Sequence, residues 1–161
     1  MMKPILRAAI AVLGASALLA VASCAAPASS ARADRVEQEL PQALLSSDLG
    51  VAGAEATQYL DGFTHNIGAT IDLERGSVTA AELRDILAVF VDTLTTDPEA
   101  YGFVRVGVRD AGSAASTDVY GSKEYVDLAP AAQELGLEPT SASGKNALAF
   151  EWSDVVALVQ E

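Results

Sequence analysis

The sequence has few of the side chains on which most metal and nucleophilic chemistry depends. It contains one Cys and one His in 161 residues, and its 10 basic side chains are outnumbered by 22 acidic ones. One Cys and one His are too few for a zinc site of the usual kind, and a lone Cys cannot form an internal disulfide. A net charge of −12 argues against a nucleic-acid partner, since phosphate-backbone binding needs clustered Lys and Arg. We therefore expect no metal, no cofactor and no nucleic acid.

Sequence motifs of catalysis are also absent. The chain has no Gly-x-Ser-x-Gly elbow, no loop with EF-hand spacing and no phosphate-cradling glycine motif. Its one imidazole, His65, follows a predicted turn, and we interpret it as an exposed residue at the start of a strand. Neighbouring acidic residues are frequent, but with 22 acids a solvated acidic surface explains them better than a glycosidase pair.

The N-terminus differs in composition from the rest of the chain. Residues 1–23 contain Lys3 and Arg7 but no Asp or Glu, and residues 8–22 form an uncharged apolar run. A positive start followed by such a run is typical of a secretory signal peptide. In a helix this run would rise only about 22 Å, less than the roughly 30 Å hydrocarbon core, so a permanent spanning helix is the weaker interpretation. Without residues 1–23 the net charge is −14.

Four residues at the end of the apolar run, Val21, Ala22, Ser23 and Cys24, resemble a lipobox, the processing motif of bacterial lipoproteins. The resemblance implies cleavage before Cys24 and a diacylglyceryl thioether on its sulfur. Fatty acyl chains such as palmitate would then hold the protein on the outer face of the cell membrane. The alternative is an ordinary secreted protein with a Cys near its cleavage site by chance. The Ala-rich, Lys-poor composition also resembles that of lipoproteins from high-GC Gram-positive (actinobacterial) bacteria, a resemblance that implies no activity.

Residues 24–33 are predicted to be a flexible tether between the lipid and a single folded domain at 34–161. They are small or polar and include one Pro, so they bury too little apolar surface to offset the entropy of ordering. Because the domain is acidic, anionic head groups would repel it weakly. We therefore expect the acyl chains on Cys24 to provide the whole membrane attachment.

Two runs of alternating residues predict a β-hairpin. Residues 51–60 and 64–73 form its arms, and Asp61 and Gly62 give the turn signal between them. The second arm carries four apolar side chains on one face at period two: Ile67, Ala69, Ile71 and Leu73.

An amphipathic helix after Thr79 is the strongest local pattern in the chain. Thr79 and Glu82 have the spacing of a capping box, in which each side chain bonds to the backbone N–H of the other residue. The apolar residues that follow share one helical stripe: Leu83, Ile86, Leu87, Phe90, Val91 and Leu94. A shorter helix is predicted over 34–46, and Pro41 inside it implies that the helix is either broken there or starts late.

The strand, turn, strand, helix pattern then repeats. Three more strands are predicted, at 101–109, 117–120 and 147–152. A helix should begin near Asp127 and end at Gly136, and residues 153–160 fit either a terminal helix or a continued strand. The predicted fold class is α+β in the order β-β-α-β-β-α-β. It has an antiparallel sheet of about five strands, helices on one face and a duplicated ββα unit.

One predicted strand carries a candidate ligand-contact face. Arg105 and Arg109 are four residues apart and therefore point the same way, together with Phe103. Two guanidinium groups and an aromatic ring favour an anionic or carboxylated ligand. The alternative is that both arginines pair with Asp or Glu across a solvated face of the sheet. The other aromatic residues near strands fit core packing, with a carbohydrate-binding platform as the alternative: Tyr101, Phe150 and Trp152.

Three functions are compatible with these patterns. The first is a membrane-anchored, non-enzymatic binding or interaction module of the cell envelope, with an envelope protein or a small anionic ligand as its partner. The second is an envelope enzyme that acts on glycan or peptidoglycan through carboxylates. The third is a structural accessory subunit of an envelope complex.

Overall fold

A computed structural model describes residues 28–113 and 124–161. The predicted signal peptide, the lipobox-like segment with Cys24 and the predicted strand at 117–120 lie outside these residues. In chain order the elements are α1 (Ala28–Asp34), a π-helical segment (Arg35–Glu39), α2 (Leu40–Ser46), β1 (Val51–Asp61), β2 (Thr64–Leu73), α3 (Ala80–Leu94), β3 (Phe103–Asp110), α4 (Ala129–Glu134), β4 (Leu148–Glu151) and α5 (Trp152–Gln160).

The sheet of the described residues has four strands in the order β1-β2-β3-β4. β1 and β2 are antiparallel, β2 and β3 are parallel, and β3 and β4 are antiparallel. The α+β class is confirmed, whereas the prediction of an antiparallel sheet of about five strands is wrong, because the described residues form a mixed sheet of four strands. The cause is α3, which carries the chain from the end of β2 back to the level where β2 began, so that β3 runs alongside β2 in the same direction.

The first hairpin is confirmed, with its turn displaced by one residue. β1 extends to Asp61, which pairs with Thr64, so the two loop residues are Gly62 and Phe63. Gly62 has a φ of 62°, and a glycine with positive φ at the first loop position fits a type II′ turn. This displacement puts Phe63 at the tip of the hairpin.

Two different segments of the described chain pair with one edge of β3, and the second arm of the predicted second hairpin lies outside the described residues. β4 pairs with β3 from Phe103 to Val106. Beyond Val106, the backbone at Glu124 and Val126 forms hydrogen bonds with the same edge of β3. Asp110 N donates to Glu124 O at 2.9 Å, and Val126 N donates to Val108 O at 2.8 Å. The described residues therefore do not repeat the strand pairing of the first ββα unit.

The N-terminal helical region begins earlier than its pattern predicts. Residues 28–33, which the composition places in the tether, are helical in the structure. Arg32 holds this helix against the domain, since its Nη1 donates to Ala100 O at 3.1 Å and its guanidinium lies 5.5 Å from the centre of the Tyr101 ring. Pro41 lies in the first turn of α2, where its missing N–H is tolerated.

The hydrophobic core lies between one face of the sheet and the helices. The six predicted stripe residues of α3 are all buried, and α2, α4 and α5 pack against α3. Ile67, Ala69, Ile71 and Leu73 face this core from β2, as predicted. The capping box is confirmed, and residues 152–160 are a helix rather than a continued strand.

Within the described ranges, no helix has the length and apolar character needed to cross a membrane.

Candidate functional site

The face of the sheet turned away from the helices, here called the open face, carries the three residues predicted to contact a ligand. Its side chains alternate with the core residues of β2 and β3. Register pairs Gly68 with Arg105, Thr70 with Gly107 and Asp72 with Arg109. Two guanidinium groups, one carboxylate, one hydroxyl and two glycines therefore lie side by side across the two parallel strands.

Arg109 forms an ion pair across this face. Its Nε lies 2.5 Å from Asp72 Oδ1, and Asp72 is only 8% exposed. The hydrogen bond with Asp72 raises the pKa of Arg109. Gly53 makes room for this pair, because a Cβ at that position would lie 3.1 Å from Asp72 Oδ2. The alternative of cross-sheet pairing thus describes Arg109 correctly, and its charge is already neutralised within the protein.

Arg105, by contrast, is exposed and belongs to neither of the two ion pairs found in the described part of the chain. Its guanidinium lies against the loop before β4, where a Cβ on Gly144 would come within 2.7 Å of Nη2. Tyr59 is a second neighbour. Burial raises the pKa of that phenol, and the positive charge of Arg105 opposes the rise. The same open face therefore holds one compensated and one available guanidinium.

Phe103 lies at the end of this face nearest the hairpin tip. Its ring meets the ring of Tyr59 edge-on, with centroids 6.1 Å apart. Its backbone N–H donates to Asn66 Oδ1 at 3.1 Å, which ties the start of β3 to the buried Asn66. Phe103 borders the region around Arg105 without lining the depression described next.

Arg105 lines a shallow depression of about 310 Å³ on the open face. Its other lining residues are Thr57, Gly68, Ala69, Thr70, Tyr125, Asn146 and Ala147. Two glycines leave space here, because they place no side chain on this part of the open face. Gly68 is part of the lining, and the neighbouring Gly107 lies close under the loops, because a Cβ there would meet Asn146 O at 3.0 Å.

The lining chemistry fits an anion. It combines one guanidinium with groups that can donate hydrogen bonds from Thr70, Tyr125 and Asn146, and it contains no carboxylate. Sequence reasoning found Arg105 but missed Tyr125 and Asn146, because they come from loops whose positions no local pattern specifies. A signal was present in Gly68 and Gly107, since glycine inside a strand often marks a close approach of another group.

The remaining residues considered from sequence are structural. Tyr101, Phe150 and Trp152 are buried, so core packing is confirmed for them. Trp152 Nε1 donates to Asp97 O at 2.9 Å. His65 is half-buried rather than exposed, with Nδ1 at 2.6 Å from Gln58 Nε2.

A second depression, of about 290 Å³, lies beyond the end of β3 and is partly acidic. Asp110, Glu124 and Asp127 are among its lining residues. Two of these carboxylates accept backbone hydrogen bonds in turns: Asp110 from Gly112 N at 2.8 Å and Asp127 from Ala129 N at 3.0 Å. Across residues 28–113 and 124–161, no cluster of three or more His, Cys, Asp or Glu side chains has a geometry suited to a metal ion.

Comparison with family models, curated proteins and solved structures gives no match for this chain.

Proposed function

We propose that this chain is a lipid-anchored, non-enzymatic binding module of the cell envelope. Cys24 holds it on the outer face of the cell membrane, and the depression at Arg105 binds a small carboxylated or phosphorylated ligand. The observation that carries the binding role is the contrast on the open face between Arg109, paired with Asp72, and Arg105, which has no such partner among the described residues. The lipobox resemblance at residues 21–24 carries the membrane attachment.

The depression supports binding more than catalysis. General acid–base chemistry on a glycan needs two carboxylates that converge on one bond, and the lining around Arg105 supplies none. The acidic depression beyond β3 supplies three, but Asp110 and Asp127 already accept hydrogen bonds from nearby backbone N–H groups. An envelope enzyme acting through carboxylates is therefore the alternative with less support.

The ligand site is tested by NMR titration of the chain from Cys24 to its C-terminus with acetate, succinate and inorganic phosphate. We expect saturable shifts at Thr70, Arg105, Tyr125 and Asn146, and their loss in Arg105→Met. Arg35→Met is the matched control, since Arg35 is also exposed but lies outside the depression. If the two variants titrate alike, the site at Arg105 is rejected.

Membrane attachment is tested in cells that express the full chain. Cys24→Ala should release the protein from the membrane fraction or leave it as an unprocessed precursor. Cys24→Ser tests whether a small polar side chain at this position is sufficient for membrane attachment. Normal processing and membrane retention in Cys24→Ala would reject the lipid anchor. Constitutive co-purification with one larger complex would instead favour the structural accessory role.

A further inference from the structure

The tip of the β1–β2 hairpin is apolar and unusually exposed. Phe63 is fully exposed and Leu60 is 61% exposed, and they are two of the three large apolar residues exposed in the described ranges. The third, Leu45, lies on α2. We call Leu60 and Phe63 the apolar tip. An exposed apolar pair on an acidic domain is a candidate contact with a partner or a membrane.

The N-terminal helices run away from this tip. Arg32 in α1 contacts Ala100 and Tyr101, and the adjacent Gly102 donates its N–H to His65 O at 2.9 Å, close to the tip. Five residues later, the carboxylate of Glu37 lies 3.4 Å from Gln58 N, further along β1.

The same path continues to the far end of the sheet. Leu49 O accepts a hydrogen bond from Arg75 Nη2 at 3.0 Å, just beyond the end of β2. The helical region therefore starts at the tip end, and Ala28 precedes Arg32 in that direction.

The length of chain before Ala28 fixes how far away the proposed lipid can be. Cys24 and Ala28 are four residues apart, so their Cα atoms are separated by at most about 14 Å. An acyl anchor on Cys24 must consequently lie close to the end of the domain that carries the apolar tip. Leu49 and Arg75 lie at the opposite end of the sheet, away from this anchor.

Charges near the tip are mixed. Arg32 and Arg35 belong to the N-terminal helical region, while Asp61 is exposed at the end of β1 and Asp97 and Glu99 are exposed on the loop before β3. These acids give no attraction to an anionic surface, so contact with a membrane must come from the apolar side chains. A zwitterionic bilayer interface suits that combination, because Phe and Leu can enter it without bringing fixed negative lipid charges close to Asp61.

We propose that Leu60 and Phe63 insert into the interface of the bilayer that holds the acyl chains of Cys24, as a second and reversible membrane contact. This inference rests on the lipid anchor of the proposed function. This second contact would orient the sheet with its strands across the membrane plane and the hairpin tip at the bilayer. The open face would then be accessible from the surrounding envelope.

The test uses the chain from Cys24 onward, which keeps every residue of the core, since the core begins at Val36. Cys24 is the only cysteine, so its thiol can be coupled to a maleimide lipid in phosphatidylcholine vesicles with brominated acyl chains. Phe63→Trp places an indole at the tip, and bromine quenches an indole that enters the acyl region. Leu45→Trp is the matched control, and the unsubstituted chain reports the buried Trp152 alone.

We expect several-fold stronger quenching in coupled Phe63→Trp than in coupled Leu45→Trp, with a blue shift of its emission. Equal quenching in the two variants, or none in either, overturns the proposal. Self-association of the free chain that depends on Phe63, measured by sedimentation with Phe63→Asp as the comparison, also overturns it, because the tip would then bind a second copy. Since the coupling is chemical, this result is independent of whether cells lipidate Cys24.

Discussion

The two faces of the sheet are organised in different ways. The covered face is apolar, and the core residues of β2 and β3 belong to one buried cluster with those of α2, α3 and α5. The open face depends on single polar contacts, such as Asp72 with Arg109, and on glycines that allow close approach. Stability should therefore come from the covered face and recognition from the open one, so that substitutions can separate the two properties.

The largest loss should follow from a change on the covered face. Phe90→Ala leaves a cavity at a fully buried position of α3, and we expect a loss of about 3–5 kcal/mol in the free energy of unfolding. Urea denaturation followed by circular dichroism measures it. Leu45→Ala, at a half-exposed position on α2, should change stability little. A similar loss in both variants would contradict the assignment of the core.

A smaller loss should follow from breaking the ion pair on the open face. Asp72→Ala removes a nearly buried carboxylate and leaves Arg109 without that partner, so we expect a loss of about 1–3 kcal/mol in unfolding free energy. Glu55→Ala tests an exposed carboxylate on the neighbouring strand and should cost much less. If Asp72→Ala were neutral, the ion pair with Arg109 would contribute nothing to stability.

The capping box of α3 should add a pH-dependent contribution. Thr79→Ala should cost about 1 kcal/mol near neutral pH. The backbone N–H and hydroxyl of Thr79 donate to Glu82 and lower the pKa of its carboxyl, so this stabilisation is present above the unfolded pKa and is lost as pH falls through the folded one. The difference between wild type and variant should shrink below about pH 4. A difference that stays constant from pH 7 to pH 3 would show that Glu82 plays no part in it.

The smallest effect on stability is expected at Arg105. Its guanidinium is exposed, so Arg105→Met should change the free energy of unfolding by less than about 0.5 kcal/mol while abolishing anion binding. Parallel denaturation and titration of the same sample separate the two effects. A loss of more than that would mean that Arg105 supports the fold, and the contrast between the two faces would no longer hold.

Local patterns in the sequence predict much of this fold. The period-two run in β2 and the helical stripe of α3 each identify a buried face, and Thr79 with Glu82 identifies where α3 begins. These features depend on residues close together in the chain. The pairing partners of β3 depend instead on residues far apart in the chain. Whether β3 joins β2 in a parallel or antiparallel sense is decided by how α3, which connects them in the chain, returns to the sheet.

The candidate site is predictable only in part, for the same reason. Strand alternation places Arg105 and Arg109 on one face, but it cannot distinguish the arginine that meets Asp72 from the one that does not. That distinction depends on the register between two strands 30 residues apart in the chain. Tyr125 and Asn146 reach the depression from loops, where neither period two nor a helical stripe exists to guide a prediction.

The position of Trp152 has a consequence for the order in which the molecule can assemble. Phe150, Trp152, Val155 and Val156 are buried in the core, yet they come after the core residues of α2, β2, α3 and β3 in the chain. Until they arrive, the cavity beside α3 and the start of β3 has no side chains to fill it. A nascent chain on the ribosome therefore holds an unfinished core until β4 and α5 have emerged, so closure of the domain has to wait for these two elements.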